Sequence, residues 1–319
     1  MTNPSAKSAS RGGGYDRTVT LGAASREAGR TGHPEVGFEH LLLGVLVNGG
    51  PGARLLMAAG VSLTEARSAI DEILREDLAL LGIDAPLPAP SSATGAESSA
   101  WLPLTPRLRE LTDDCPQSGG DRALLAALID DEGGRVRRLL DRLGVDTDRV
   151  RRDLDEPAAI PEAAAPSPVD GDPDRTSGRE PEGWESAAYD LDVAVSPERL
   201  WDLVSDPERR EEWESSAVSS RQLGGGAVEL TTEDGTTARD AIVHRVPGRE
   251  ITWEQEPQGD APHRRLRIVI EPLGEHARLY LHMSWPTALR GRLGNRIVRW
   301  FMRQNLRVRA QVIAQAAAS

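Results

Sequence analysis

Two hydrophobic rhythms run through this 319-residue chain, and no single layer of secondary structure satisfies both. Up to about residue 156, apolar side chains recur three and four positions apart. Leu41, Leu42, Val45 and Leu46 do so, as do Ala66, Ile70, Ile73 and Leu74, a spacing that gathers them on one helix face. From Ala188 the period drops to two: Tyr189, Leu191, Val193 and Val195 alternate with Ala188, Asp190, Asp192 and Ala194, as in a strand with one buried side. Residues 157–183 lie between these regions, rich in Pro, Ala, Asp and Glu and without an aromatic residue, the composition of an acidic linker. The expected fold class is therefore multidomain, with an all-α domain over 15–156 followed by an α+β domain over 184–319.

Within the α region the sequence repeats itself. Arg138, Leu139, Leu140, Gly144 and Val145 reproduce Arg54, Leu55, Leu56, Gly60 and Val61 at one offset of 84 positions (138 minus 54). The expected parts are an unstructured Ser/Gly-rich tail over 1–14, a first four-helix repeat over 15–84, a connector over 85–103 and a second repeat over 104–156. A four-helix unit of that size buries too little core to stand alone, so the two are expected to pack as one pseudo-twofold domain.

The first repeat holds Gly32-His33-Pro34-Glu35-Val36-Gly37-Phe38-Glu39-His40-Leu41-Leu42-Leu43-Gly44-Val45-Leu46. This text resembles the GHxxxGTEHLLLGL signature of the Clp amino-terminal (Clp R) domain, the substrate- and adaptor-docking module at the front of ClpA- and ClpC-type unfoldases. Leu104-Thr105-Pro106-Arg107 is similar to that family's second-repeat opening, while Cys115 to Arg122 stands where a second GHxxxGTEH belongs. The resemblance implies docking positions at Glu39, His40 and Thr105. In ClpC-type domains an opening Thr and the Glu of GTEH form a phosphoarginine pocket. Glu39 matches that Glu and Thr105 the second Thr, but the first repeat lacks its Thr and the second has Asp121 or Arg122 in place of Glu. Read from the residues alone, Glu39 is equally an acidic first-turn residue suited to the helix dipole. No GxxxxGK[ST] occurs in the chain, so the sequence carries a docking module without a phosphate-cradling loop.

In the second region the order is a strand, two short helices, six further strands and a long closing helix from about Thr287. Val195-Ser196-Pro197-Glu198-Arg199-Leu200-Trp201-Asp202-Leu203-Val204-Ser205-Asp206-Pro207-Glu208, with Trp213, resembles the opening of the SRPBCC superfamily, which includes polyketide cyclases, START-like lipid carriers and activators of heat-shock chaperones. That resemblance implies a helix-grip fold, a curved antiparallel sheet around a long C-terminal helix, with an apolar cavity between them. The candidate lining is Trp201 and Trp213 from the short helices and Trp253, Tyr280, Leu281, His282, Met283 and Trp285 from the strands. Leu293, Ile297, Trp300, Phe301 and Gln304 are the candidates from the helix, and all of these residues read equally as core. Tyr280, His282 and Arg267 are the strand residues most suited to chemistry. No His, Cys or acidic set shows metal spacing and no Ser-His-Asp order is visible, so no catalytic constellation, metal or cofactor is expected. Arg292, Arg296, Arg299, Arg303 and Arg307 form a stripe on the closing helix, either a site for an acidic partner or a solvated face.

The net charge of -12 argues against general affinity for nucleic acid. A single cysteine, Cys115, excludes an internal disulfide. With no signal-like start and no run of eighteen apolar residues, a soluble cytoplasmic protein without a membrane span is expected. The functional expectation is a non-catalytic binding protein related to Clp regulation. As an adaptor or decoy it would engage Clp substrates, adaptors or Clp-directed small molecules, and its second domain would hold an apolar ligand or partner. The alternative is an aromatase/cyclase-type enzyme or lipophilic carrier tethered by the Clp-like half.

Overall fold

The computed structural model describes residues 5–84, 101–116, 119–156, 183–214, 217–256, 263–287 and 291–319, with side chains from Arg17 in the first helix and from Val298 in the last. Most of the expected connector 85–103 and nearly all of the linker 157–183 lie outside the described residues. The chain divides into two units, residues 1–158 and 159–318.

The first unit is helical throughout: α1 (Ser5–Arg30), α2 (Phe38–Asn48), α3 (Pro51–Ala58) and α4 (Leu63–Leu80), then α5 (Pro106–Asp114), α6 (Gly120–Asp130), α7 (Arg135–Arg142) and α8 (Thr147–Asp155). Here α1 starts at Ser5, so residues 5–14, expected as tail, extend the first helix, while 1–4 fall outside the described residues. Elongating a formed helix costs far less than nucleating one, which lets it run through weak formers such as Gly12–Gly14. At its centre α2 is buried nearly all round, from His40 through Asn48, as a helix apolar on every face must be.

The repeat seen in the sequence is a repeat of structure. In both copies a glycine at positive φ, Gly60 (89°) and Gly144 (72°), closes the third helix, and the next valine's N–H returns to a carbonyl five residues back, Val61 to Leu56 and Val145 to Leu140, each 3.0 Å. These are Schellman caps, and the left-handed turn explains why both glycines recur. Packing between the copies is reciprocal: α3 rests on α6 as α7 rests on α2, and α3 on α8 as α7 on α4. A short parallel bridge of Val36 with Leu104 ties the loop before α2 to the approach to α5.

The second unit runs β1 (Trp184–Val193), α9 (Pro197–Ser205), a 3-10 turn (Pro207–Arg209), α10 (Arg210–Trp213), β2 (Ala217–Gly224), β3 (Ala227–Thr232), β4 (Thr237–Val246), β5 (Glu250–Glu256), β6 (Arg264–Leu273), β7 (His276–Pro286) and α11 (Gly291–Ala318). All seven strands are antiparallel in the order β1-β7-β6-β5-β4-β3-β2, so the first strand pairs with the last. Ser196 caps α9 and Asp206 caps the turn that follows, each accepting from a backbone N–H. One sheet face carries Leu266, Ile268, Leu279, Leu281 and Met283, and α11 closes over the unit with Leu306, Ala310, Ile313, Ala314 and Ala317 buried. This is the helix-grip arrangement. Among the described residues no single helix is long and apolar enough to cross a membrane.

Candidate functional site

In the first unit, the GHPEVGFEH segment builds a small polar corner. The N–H of Gly37 donates to His40 Nδ1 (2.8 Å), which leaves Nε2 as the protonated nitrogen, and that nitrogen donates to His33 Nδ1 (2.8 Å). Burial, and secondarily His33, push His40 down to about 4, so its ring is neutral near pH 7. It is 4% exposed and braces the loop from behind rather than facing a ligand. Glu39 does face outward. With His33, Ile70, Leu74, Arg135 and Leu139 it lines a pocket of about 70 Å³ between α4 and α7, and its Oε2 is buried without a hydrogen-bond partner. Arg135 from the second repeat stands 3.7 Å from Glu39 Oε1. Thr105 is not in this pocket; it is the residue before α5, and its N–H binds Val36 O.

Where the second repeat's Glu would stand, Asp121 points inward. At 3% exposure it accepts from Gly52 N (2.9 Å) and Ala53 N (3.4 Å), capping α3 of the other repeat. Burial raises its pKa against the lowering effect of those bonds. Its carboxylate is therefore committed to the scaffold. Beside it, between α5 and α6, opens a groove of about 1060 Å³ floored by Leu111, Ala123, Ala127 and Leu154 and edged by acids including Glu110, Asp114, Asp131 and Glu156.

In the second unit the cavity formed by the described residues carries charge as well as apolar side chains. Met283 and Trp253 line a cavity of about 60 Å³, and its other walls include Arg210, Glu214, Asp240, Arg264 and Arg309. Trp213, fully buried, lies under the Arg210 guanidinium (3.8 Å to the ring centroid) and edge-on to Trp253. Trp285 is buried in the row of Leu281 and Met283, and Trp201 sits half-buried under Arg245, neither lining this cavity.

Other expected lining residues are elsewhere. Tyr280 and His282 alternate with buried Leu279, Leu281 and Met283, so they occupy the opposite sheet face. Arg267 shares that face and is held by Glu250. Trp300 and Phe301 are 63% and 56% exposed, because the buried face of α11 follows Leu306 and Ala310. The side chains of Leu293 and Ile297 lie outside the described residues. Of the arginine stripe, Arg299 and Arg303 are exposed.

The five charged residues of the cavity were missed, although their phase gave a signal. Asp240 shares the parity of Ile242 and Arg264 that of Leu266 and Ile268, so each is a charge written at an inward position. Arg309 stands off the exposed stripe, next to Ala310. Among the described residues no three His, Cys, Asp or Glu side chains converge as a metal set.

Comparison with known proteins divides the chain at the same place. Residues 18–115 match the family model of the Clp repeat (R) N-terminal domain, a match that ends at Cys115, where the second signature is lost. Residues 186–317 match the family of polyketide cyclase / dehydrase and lipid transport proteins. Curated relatives include the ATP-dependent Clp protease ATP-binding subunit ClpA homologs of Cyanidium caldarium (29% identical over 140 residues, 41% of this chain and 14% of that protein) and Guillardia theta (31% over 134 residues, 40% and 15%). Chloroplastic chaperone protein ClpC1 of Arabidopsis thaliana is 29% identical over 134 residues. The chain thus spans only 13–15% of the length of these relatives. Similar solved structures include norcoclaurine synthase from Thalictrum flavum (15% identity, 41% of this chain and 84% of that chain, TM-score 0.34) and a conserved protein from Geobacillus kaustophilus (12%, 42% and 95%, TM-score 0.37).

Proposed function

We propose that this chain is a non-catalytic cytoplasmic binding protein related to Clp protease regulation. Its Clp-repeat half engages Clp substrates, adaptors or Clp-directed small molecules, as an adaptor or a decoy, and its helix-grip half holds a small ligand. One observation carries the reading: a double-repeat fold similar to the Clp repeat domain, in which Glu39 lines a pocket between the two repeats. The eroded second repeat favours a narrowed partner range, since Asp121 caps α3 instead of facing outward.

The test is competition. Purified chain in tenfold excess over an adaptor is expected to slow degradation of an adaptor-dependent substrate by a reconstituted ClpC-type protease, and Glu39→Ala to weaken that effect. An unchanged degradation rate at that excess, with the adaptor neither bound nor displaced, sinks the proposal. The enzyme alternative draws less support, because Tyr280 and His282 are turned away from the cavity.

A further inference from the structure

The cavity of the helix-grip half is unbalanced in both charge and hydrogen bonding. Arg210 Nη2 donates to Glu214 Oε2 (2.8 Å) and Asp240 Oδ2 (2.7 Å), and Arg309 forks onto both oxygens of Glu214 (2.6 and 2.7 Å). Three of these residues, Arg210, Glu214 and Asp240, are 1%, 6% and 3% exposed. A third guanidinium, Arg264, lines the same cavity and makes no hydrogen bond or close ion pair with any described residue. Burial and the neighbouring Arg309 hold its pKa below the usual arginine range, which marks an under-compensated cation. Among the described residues three arginines face two carboxylates, one positive charge in excess.

The hydrogen-bond tally points the same way. Arg210 Nε and Nη1 are buried without an acceptor, against one cavity acceptor without a donor, Asp240 Oδ1; the indole N–H of Trp213, outside the cavity lining, is also unpaired. Buried donors without partners are rare in folded proteins, because each forfeits its bond to water. An uncompensated buried cation is costlier still. Among these cavity atoms the unpaired donors outnumber the unpaired acceptor, an imbalance that a ligand with more than one acceptor oxygen would offset.

We propose that this cavity binds a small aliphatic monocarboxylate, its carboxylate between Arg264 and Arg210 and its short apolar end toward Leu266 and Met283. A single negative charge matches the single excess positive charge. Two coplanar oxygens match the planar guanidinium fork. Size sets the limit: a water needs about 15 Å³ of such space, so about 60 Å³ takes roughly four heavy atoms, the size of acetate. A phosphate dianion over-neutralises the site and carries oxygens that would meet Glu214 and Asp240.

The proposal rests on the ligand-binding role of the helix-grip half and is independent of Clp docking. Its test uses the full chain. Six of the seven tryptophans lie in this half, so its thermal unfolding is followed by tryptophan fluorescence in sodium acetate against sodium chloride of equal ionic strength. Acetate is expected to raise the midpoint by several degrees, increasing with the logarithm of its concentration, and Arg264→Gln to abolish the difference. Equal midpoints in the two salts, an acetate effect that persists in Arg264→Gln, or an equal effect of phosphate would overturn the assignment. Should Arg264→Gln fail to fold, ¹³C-labelled acetate titrated into the wild-type protein decides. Line broadening reversed by unlabelled acetate but not by chloride supports the site, and its absence refutes it. A long-chain apolar fluorophore separates the two levels: binding of the fluorophore without an acetate effect sinks the carboxylate site and leaves the ligand-binding role standing, and binding of neither sinks both.

Discussion

His40 shows how a side chain recognised for its motif can serve the scaffold. Its Nδ1 is occupied by the Gly37 N–H, so a second proton can be added only by breaking that bond inside a buried pocket. The folded pKa of about 4 lies below the ordinary 6.5. The stabilisation is therefore complete above about pH 6.5 and is lost as pH falls from there toward 4. A gap of that size corresponds to roughly 3 kcal/mol. Urea unfolding of the Clp-repeat half at pH 7, 5.5 and 4.5 should show the decline, and His40→Gln should flatten it. Asp121 makes the complementary case. Asp121→Ala is expected to cost about 1–3 kcal/mol, through the lost cap on α3 and the unpaired N–H groups of Gly52 and Ala53. Asp121→Asn, which keeps an acceptor and removes a buried charge, should cost clearly less. The sequence left Asp121 and Arg122 as alternative counterparts of Glu39 and gave no sign of Asp121's partner, since Gly52 lies 69 positions away.

Among the elements, α2 and α11 show which parts of a helix can be read from its own sequence. Gly44 looks like a weakness in α2, yet a Cβ there would stand 2.7 Å from Thr20 O and 2.8 Å from Ala24 N, because α1 crosses at that point. Gly44→Ala is therefore expected to lower the melting temperature, since steric cost of about 1–3 kcal/mol outweighs a propensity gain of about 1 kcal/mol. Along α11 the exposed Arg299 and Arg303 stand on the same row as buried Leu306, Ala310 and Ile313, so exposure there follows position along the helix as much as face, and Trp300 and Phe301 were wrongly expected inside. Aromatic residues suggested a core, whereas among its described side chains α11 is buried from Leu306 onward, through Ala310, Ile313, Ala314 and Ala317. Leu306→Ala should cost about 2–5 kcal/mol and Trp300→Ala less than about 0.5 kcal/mol, measured by chemical unfolding of the full chain.

For the whole molecule, the two-part architecture was legible because hydrophobic period and internal repetition are properties of the sequence alone. The succession of strands and helices followed from local text. The charged cavity did not, since it joins α10, β4, β6 and α11, elements spread over about a hundred positions. The reciprocal packing of α3 with α6 and of α7 with α2 means that neither repeat holds a complete core. Residues 15–84 expressed alone should therefore give no cooperative melt, and residues 5–156 should give one, as followed by circular dichroism.

The pairing of β1 with β7 also imposes an order of events on synthesis. Trp184 finds its partner only at Pro286, so a nascent chain must carry β1 with an open edge while some ninety residues are added. The repeats, by contrast, are already complete when that stretch begins to emerge. A ribosome halted between the two strands would thus display a finished helical unit joined to an unfinished, self-adhesive sheet, the species most exposed to aggregation and to quality-control proteases.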